Sequence, residues 1–265
     1  MEKLPVSTVL LTKNSARSLP AYFESMQEID DIILLDGGST DGTLELAKKQ
    51  QNVRVFPQNP KYLDEEGRII DFSSVRNEGY KLAHHRWILC VDSDEAATPK
   101  LLSEVGRVVQ EGPPGVYYVR RTFYYDGKPV VTLKRSTSDH IRLFHLDRVR
   151  GCLKPIHERL DILPGTHRGT LDAEVSVPLA PLDAMRRKYN RFLEIEARAN
   201  RGITFGRWFR WIFIRNLLAV ARRPLVVLAA RLIPVRGQRL PLGYEWEQLR
   251  YSWMLIWKTG PWRKS

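Results

Sequence analysis

Short aliphatic runs, spaced so that helical stretches fall between them, constrain this chain more than any other feature. VSTVLLT (6–12), DIILLD (31–36), NVRVFP (52–57) and ILCV (88–91) each read as a strand, and all but NVRVFP are apolar enough to be buried on both faces. Between the first two, SARSLPAYFESMQE sets Leu19, Tyr22, Phe23 and Met26 at helical spacing. GGSTDG then turns the chain into TLELAKKQ, a short helix with Ser39 or Asp41 as its cap. The stretch 72–86, FSSVRNEGYKLAHHR, predicts a further helix with Val75, Gly79 and Leu82 or Ala83 on one face. The order βαβαβ(α)β predicts an α/β fold, a mostly parallel sheet with helices on both faces.

Two of these strands end in aspartate, Asp36 and Asp92, and the second continues into Asp94 and Glu95. In open parallel sheets, ligands bind beyond the carboxyl ends of the strands. Three carboxylates within four positions repel one another unless a cation or polar ligand compensates them, so the sequence predicts a positively charged visitor. For Asp36 and Asp41, an Asx turn and a helix cap are the plainer alternative.

After Pro99 the pattern predicts a helix over 100–111, then an antiparallel hairpin in GVYYVRRTFYYDGKPVVTLKR with DGK at its turn. Only Cys90 and Cys152 occur, which argues against a disulfide framework or a cysteine-based zinc site and for a reducing compartment. The first residues lack a basic head and long apolar core, so a cytoplasmic chain is expected. Charge is segregated. Residues 1–180 carry 24 Lys/Arg against 25 Asp/Glu, whereas 181–265 carry 18 against 5. Two regions are therefore expected, 1–180 as a catalytic domain and 181–265 as a basic, amphipathic helical region.

The blocks STVLLTKNSARSLPAYFESM, IDDIILLDGGSTDGTLELAKK, SSVRNEGYKLAHHRWILCVDSDEAATPKL and HIRLFHLDRVRGCLKPIHERL, in that order, resemble the family 2 glycosyltransferases. The similarity is greatest to a bacterial branch acting on lipopolysaccharide core and related surface glycans. The resemblance implies the GT-A (Rossmann-like) fold, a nucleotide-diphosphate sugar donor such as a UDP-sugar, inversion at the anomeric carbon, and Mn2+ or Mg2+ on an Asp-X-Asp motif. It places Asp36 at the uridine or ribose, Asp92 at the sugar or ribose and Asp94 at the metal. Thr12, Asn14, Arg76, Asn77 and Arg142 are implied in donor binding. In KPIHERL, Glu158 is the candidate base and His157 its orienting or phosphate-binding neighbour; the sequence alone leaves the choice between them open, because neighbours on a strand face opposite ways. Two departures stand out: Ser15, Ala16 and Arg17 follow TKN where relatives carry acids, and 58–71 is long enough to form a mobile loop over the donor.

In the basic region, uncharged runs such as 211–214, 216–221, 224–230 and 251–257 reach seven residues at most, far short of the ~20 residues a bilayer span needs. Arginines interrupt the apolar residues, and Trp208, Trp211, Trp246, Trp253, Trp257 and Trp262 are residues that favour headgroup depth. The expectation is a peripheral protein on the inner face of the cell membrane, touching an anionic membrane surface and acting on a glycan or glycolipid acceptor. A helical subdomain that merely packs on the catalytic domain is the alternative. A sugar nucleotidyltransferase is a second reading, although TKNSARS stands where that class has its glycine-rich loop. Nucleic acid is not an expected partner, because the front region is net acidic and the tryptophans sit among aliphatics.

Overall fold

The structure, a computed structural model, describes residues 3–131, 139–232 and 238–262. They form two compact units. The first comprises the residues up to Phe123 and the described part of 137–178; the second comprises 124–131 and the described residues from Leu179 onward. The hairpin tip thus joins the helical unit, a detail that a single boundary near residue 180 does not carry.

In the first unit β1 (Leu4–Thr12), α1 (Leu19–Ser25), β2 (Ile29–Asp36), α2 (Thr43–Lys48) and β3 (Val53–Pro57) follow in the expected order. Next come α3 (Phe72–Lys81), β4 (Trp87–Leu89), β5 (Ala96–Ala97) and α4 (Pro99–Glu111). Six more strands follow, of which β7 and the last two residues of β6 belong to the second unit: β6 (Gly115–Tyr125), β7 (Lys128–Val131), β8 (Asp139–His145), β9 (Val149–Leu153), β10 (Arg159–Ile162) and β11 (His167–Pro178). The sheet runs β6-β8-β4-β1-β2-β3. Parallel pairing joins β4, β1, β2 and β3, while β8 and β6 are antiparallel additions at one side. The sheet is therefore mixed around a parallel centre.

Consecutive residues of the central strands feed opposite faces, as two-sided burial requires. Leu10, Ile32 and Leu34 pack with Leu19 and Tyr22 of α1 and with Leu101 and Val105 of α4. Val9, Ile33 and Leu35 pack instead with Val75 and Tyr80 of α3 and with Cys152 of β9. Each such aliphatic side chain contributes about 1.5–3 kcal/mol when fully buried. On the second face Gly79 lets α3 approach closely: a methyl there would lie 2.4 Å from Val9 Cγ1.

Two boundaries differ from expectation. α3 ends at Lys81 rather than reaching residue 86, because the amides of His84 and His85 leave the helix to donate to Asp31 Oδ2 and Ser7 Oγ, both at 3.0 Å. β4 stops at Leu89. The Cys90 carbonyl beyond it accepts from the Arg142 side chain at 3.0 Å.

In the second unit, Tyr125 pairs with Lys128 across the two-residue turn Asp126-Gly127, whose φ values of 49° and 69° match the expected hairpin signal. Residues 132–135 of the expected return strand lie outside the described residues. The helices are α5 (Leu182–Ala199), α6 (Phe205–Trp208), a π-helical segment Phe209–Phe213, α7 (Ile214–Leu232) and α8 (Leu242–Thr259). A short strand, β12 (Gln238–Arg239), pairs parallel with β7. Leu193, Trp208, Ile212, Leu255 and Ile256 form the core of this unit. Among the described residues, no helix is long and apolar enough to cross a membrane.

Candidate active site

β1 lies between β4 and β2, with the chain leaving it toward both sides, so the ends of these strands border the crevice where open sheets take their ligands. Thr12 is paired in register with Asp36 at the ends of β1 and β2. Its hydroxyl donates to Asp36 Oδ1 at 3.1 Å. The other Asp36 oxygen accepts from the amides of Gly38 and Ser39 at 2.9 and 2.8 Å, which is the Asx-type turn that the plainer reading of this aspartate anticipated. Asn14, at φ 53°, accepts from Thr40 N at 2.8 Å while its own amide donates to Ser39 Oγ at 2.8 Å. Asp41 accepts from Ala16 N at 3.0 Å and from the Thr43 hydroxyl at 2.6 Å. Two loops are thereby fastened into one wall.

Around the acidic turn, the charge that balances the carboxylates is built into the protein. Three arginines of the protein itself pair with Asp92 and Glu95. Arg76, on α3, donates from Nη2 to Asp92 Oδ1 at 2.7 Å and from Nε to Glu158 Oε1 at 3.3 Å. Arg142, on β8, donates from Nη2 to Glu95 Oε1 at 2.8 Å and brings Nη1 within 3.7 Å of Asp92 Oδ2. Arg121, on β6, meets the same Glu95 oxygen at 2.8 Å. Burial alone would raise the Asp92 carboxyl, but the Arg76 and Arg142 charges outweigh it and hold the group well below the usual carboxylate range. Glu95 is raised instead, first by burial and then by the charge of Asp92. Its side chain is fully buried, so this acid is an internal anchor and not part of the ligand-facing set.

Asp94 is different. It is exposed on the turn after Asp92, and among the described residues it has no ion pair or side-chain hydrogen bond. No group of three His, Cys, Asp or Glu able to hold a metal occurs among the described residues. The donor set available to a metal is thus one solvent-facing carboxylate with a second, arginine-bound one nearby in sequence. Hard divalent ions accept this arrangement when substrate phosphates fill the rest of the shell, so the residues fit such an ion.

Of the remaining expected site residues, Asn77 commits its amide to the β9 backbone: Nδ2 donates to Cys152 O at 3.0 Å and Oδ1 accepts from Cys152 N at 2.7 Å. Glu158 is joined to the acidic turn through Arg76. It and His157 do not lie on a strand edge; they sit in the bend joining β9 to β10, with His157 exposed in the left-handed region at φ 52°. The 58–71 segment is a fastened turn, with a 3-10 turn at Pro60–Tyr62, a bridge between Leu63 and Ile69, and Lys13 Nζ donating to the carbonyls of Glu66 and Gly67 at 2.5 and 2.7 Å. Sequence reasoning missed Arg121, whose only signal was alternation within a strand, and Gln58, whose buried amide donates to Thr12 O at 3.1 Å and Leu35 O at 2.9 Å.

Residues 7–168 match the model of Glycosyl transferase family 2, and this stretch covers the sheet, the acidic turn and Glu158. The chain belongs to this family. A curated relative, a cholesterol galactosyltransferase of Borreliella burgdorferi, is 29% identical over 110 residues, or 38% of this chain. The match spans 28% of that relative's length. Among solved structures, Staphylococcus aureus TarS 1–349 in complex with UDP-GlcNAc superposes with a TM-score of 0.50 at 14% identity. That alignment covers 99% of this chain and 92% of the other, while this chain spans 47% of a longer TarS structure. At this identity the likeness shows the fold, a GT-A-like Rossmann arrangement.

Proposed function

We propose that the protein is an inverting glycosyltransferase that moves a sugar from a nucleoside-diphosphate sugar, with UDP as the favoured nucleotide, to a hydroxyl of a glycan or glycolipid. The observation that carries this reading is the chain of contacts Glu158–Arg76–Asp92, which brings the Glu158 carboxylate, 82 residues downstream of Arg76, to the acidic turn at the switch point of the sheet. Asp36, Thr12 and Asn14 form the nucleoside end, and Asp92 with Asp94 the diphosphate and sugar end. Arg76 and Arg142 fix Asp92 in its charged form. Asn77 acts indirectly, by holding β9 and the bend that carries Glu158.

Asp94 and Asp92 would hold a divalent ion together with the donor's phosphates; when bound, such an ion offsets the charge that develops on the leaving diphosphate. The protein's own groups account for the rest. Glu158 Oε2 has no partner among the described residues and is free to receive the proton of the acceptor hydroxyl. The acceptor oxygen forms its bond to the anomeric carbon from the face opposite the diphosphate, the bond to the diphosphate oxygen breaks, and the electron pair leaves with the nucleotide. Inversion follows from this single displacement.

Glu158→Gln keeps the shape of the side chain and removes its basicity. Transfer should fall about 10²–10⁴-fold with donor affinity little changed. Near-normal turnover in Glu158→Gln would move the base to another group, and His157→Ala would then be expected to show the loss.

A further inference from the structure

The helical unit exposes an apolar stripe that the fold does not cover. On α7, Ile214, Leu218, Ala221, Leu225, Leu228 and Leu232 recur at steps of four, three, four, three and four, so they line one side of the helix for about 27 Å. All six are exposed, Leu225 to 67% and Leu232 to 75%. The first helical turn of this run carries more of the same: Phe205 and Phe209 stack on each other, Phe205 touches Trp208, and Trp208 touches Trp262, which in turn meets Trp257. Phe205, Phe209, Trp257 and Trp262 are all exposed. An apolar surface of this extent marks an interaction site.

Charge identifies the partner. The helical run 205–232 holds six arginines and no Asp or Glu. Arg215 and Arg222 follow the stripe on one flank and Arg231 on the other; all three are exposed, and none has an ion pair among the described residues. Arg223, by contrast, faces inward to Glu245 at 2.9 Å. A second copy packed stripe to stripe would set basic flanks beside basic flanks with no carboxylate to separate them. A nucleic acid would use the arginines and leave six aliphatic side chains in water. An anionic lipid surface satisfies both halves at once, taking the aliphatics below the headgroups and the arginines among the phosphates.

We infer that α7 lies in the plane of an anionic membrane surface, with the Ile214–Leu232 stripe inserted and Arg215, Arg222 and Arg231 at headgroup level, Trp257 and Trp262 adding aromatic anchors. This surface is separate from the proposed chemistry, and its test needs no turnover. The consequence for that chemistry is a preference for an acceptor confined to the same surface.

The test is vesicle flotation of the full chain, with phosphatidylcholine vesicles and with vesicles in which about a third of the lipid is phosphatidylserine. The full chain should float with the anionic vesicles and largely remain behind with the neutral ones. Leu218→Ser, Leu225→Ser and Leu228→Ser together should abolish flotation with an unchanged circular dichroism spectrum and melting temperature, since all three side chains are already in solvent. Arg215→Gln, Arg222→Gln and Arg231→Gln together should lower partition to anionic vesicles about a hundredfold, at roughly fivefold for each charge. Equal flotation with both vesicle types, flotation unaffected by the serine substitutions, or none at all would overturn the inference. So would a concentration-dependent dimer, seen by sedimentation equilibrium without lipid, that the serine substitutions abolish.

Discussion

At the residue scale, the arginines decide how three neighbouring acids coexist. Arg142 is buried and spans Glu95, the Cys90 carbonyl and the edge of Asp92. Removing one member of a buried charged pair leaves the other uncompensated, typically at a cost of about 3–5 kcal/mol. Because Arg121 still serves Glu95, Arg142→Met should sit near the lower end, about 3 kcal/mol in urea unfolding, and combining it with Glu95→Gln should restore part of the loss. The pH dependence follows from Asp92. Its folded-state carboxyl is held below its unfolded value, so its contribution is present above about pH 4 and is lost as pH falls toward the depressed value. Arg76→Met should therefore shrink the stability lost on acidification below about pH 4, measured by denaturant unfolding at several pH values. The two thiols respond in the opposite sense. Burial, more than any other influence, raises Cys90 and pushes Cys152 up to about 11. Both should remain protonated and resist a thiol-modifying disulfide reagent at pH 8 in the native protein, and both should react promptly once it is unfolded.

At the element scale, the strands and their order were legible because two-sided burial leaves short unbroken aliphatic runs such as Ile33-Leu34-Leu35, set between turn signals and helical stretches. The hairpin turn at Asp126-Gly127 was legible for its φ-positive chemistry. The end of α3 was not, since it depends on Asp31 and Ser7, side chains 53 and 78 residues away from the amides they capture. The same limit hid the balance of the acidic turn. Arg142 could be marked as a site residue from its sequence block, but its partner Glu95 lies 47 residues away, and Arg121 carried no mark at all. Periodicity reports which face a residue takes; it says nothing about which side chain stands across the sheet. Helix packing offers a direct check. Gly79→Ala would place a methyl 2.4 Å from Val9 Cγ1 and 3.2 Å from Leu35 Cδ1, so α3 must shift, at about 1–3 kcal/mol in thermal unfolding. A substitution without effect would mean that α3 approaches β1 less closely than described.

At the scale of the whole molecule, a near-neutral region carrying the sheet is followed by a strongly basic helical one, and the contrast in charge already separates the two tasks proposed for them. Family membership accounts for the first region and its residues 7–168. The central claim is that the crevice bounded by β4, β1 and β2 takes a nucleoside-diphosphate sugar with a divalent ion on Asp94, while the internal arginines hold Asp92 in place. Calorimetric titration with a panel of UDP-sugars, in Mn2+ and in EDTA, tests it most directly. The account predicts that at least one UDP-sugar binds in Mn2+, that EDTA weakens this binding at least about tenfold, and that Asp94→Ala reproduces the EDTA result with the fold intact, because the ion then loses its solvent-facing carboxylate. Failure of every UDP-sugar to bind, or equal binding by wild type and Asp94→Ala under both conditions, would contradict it.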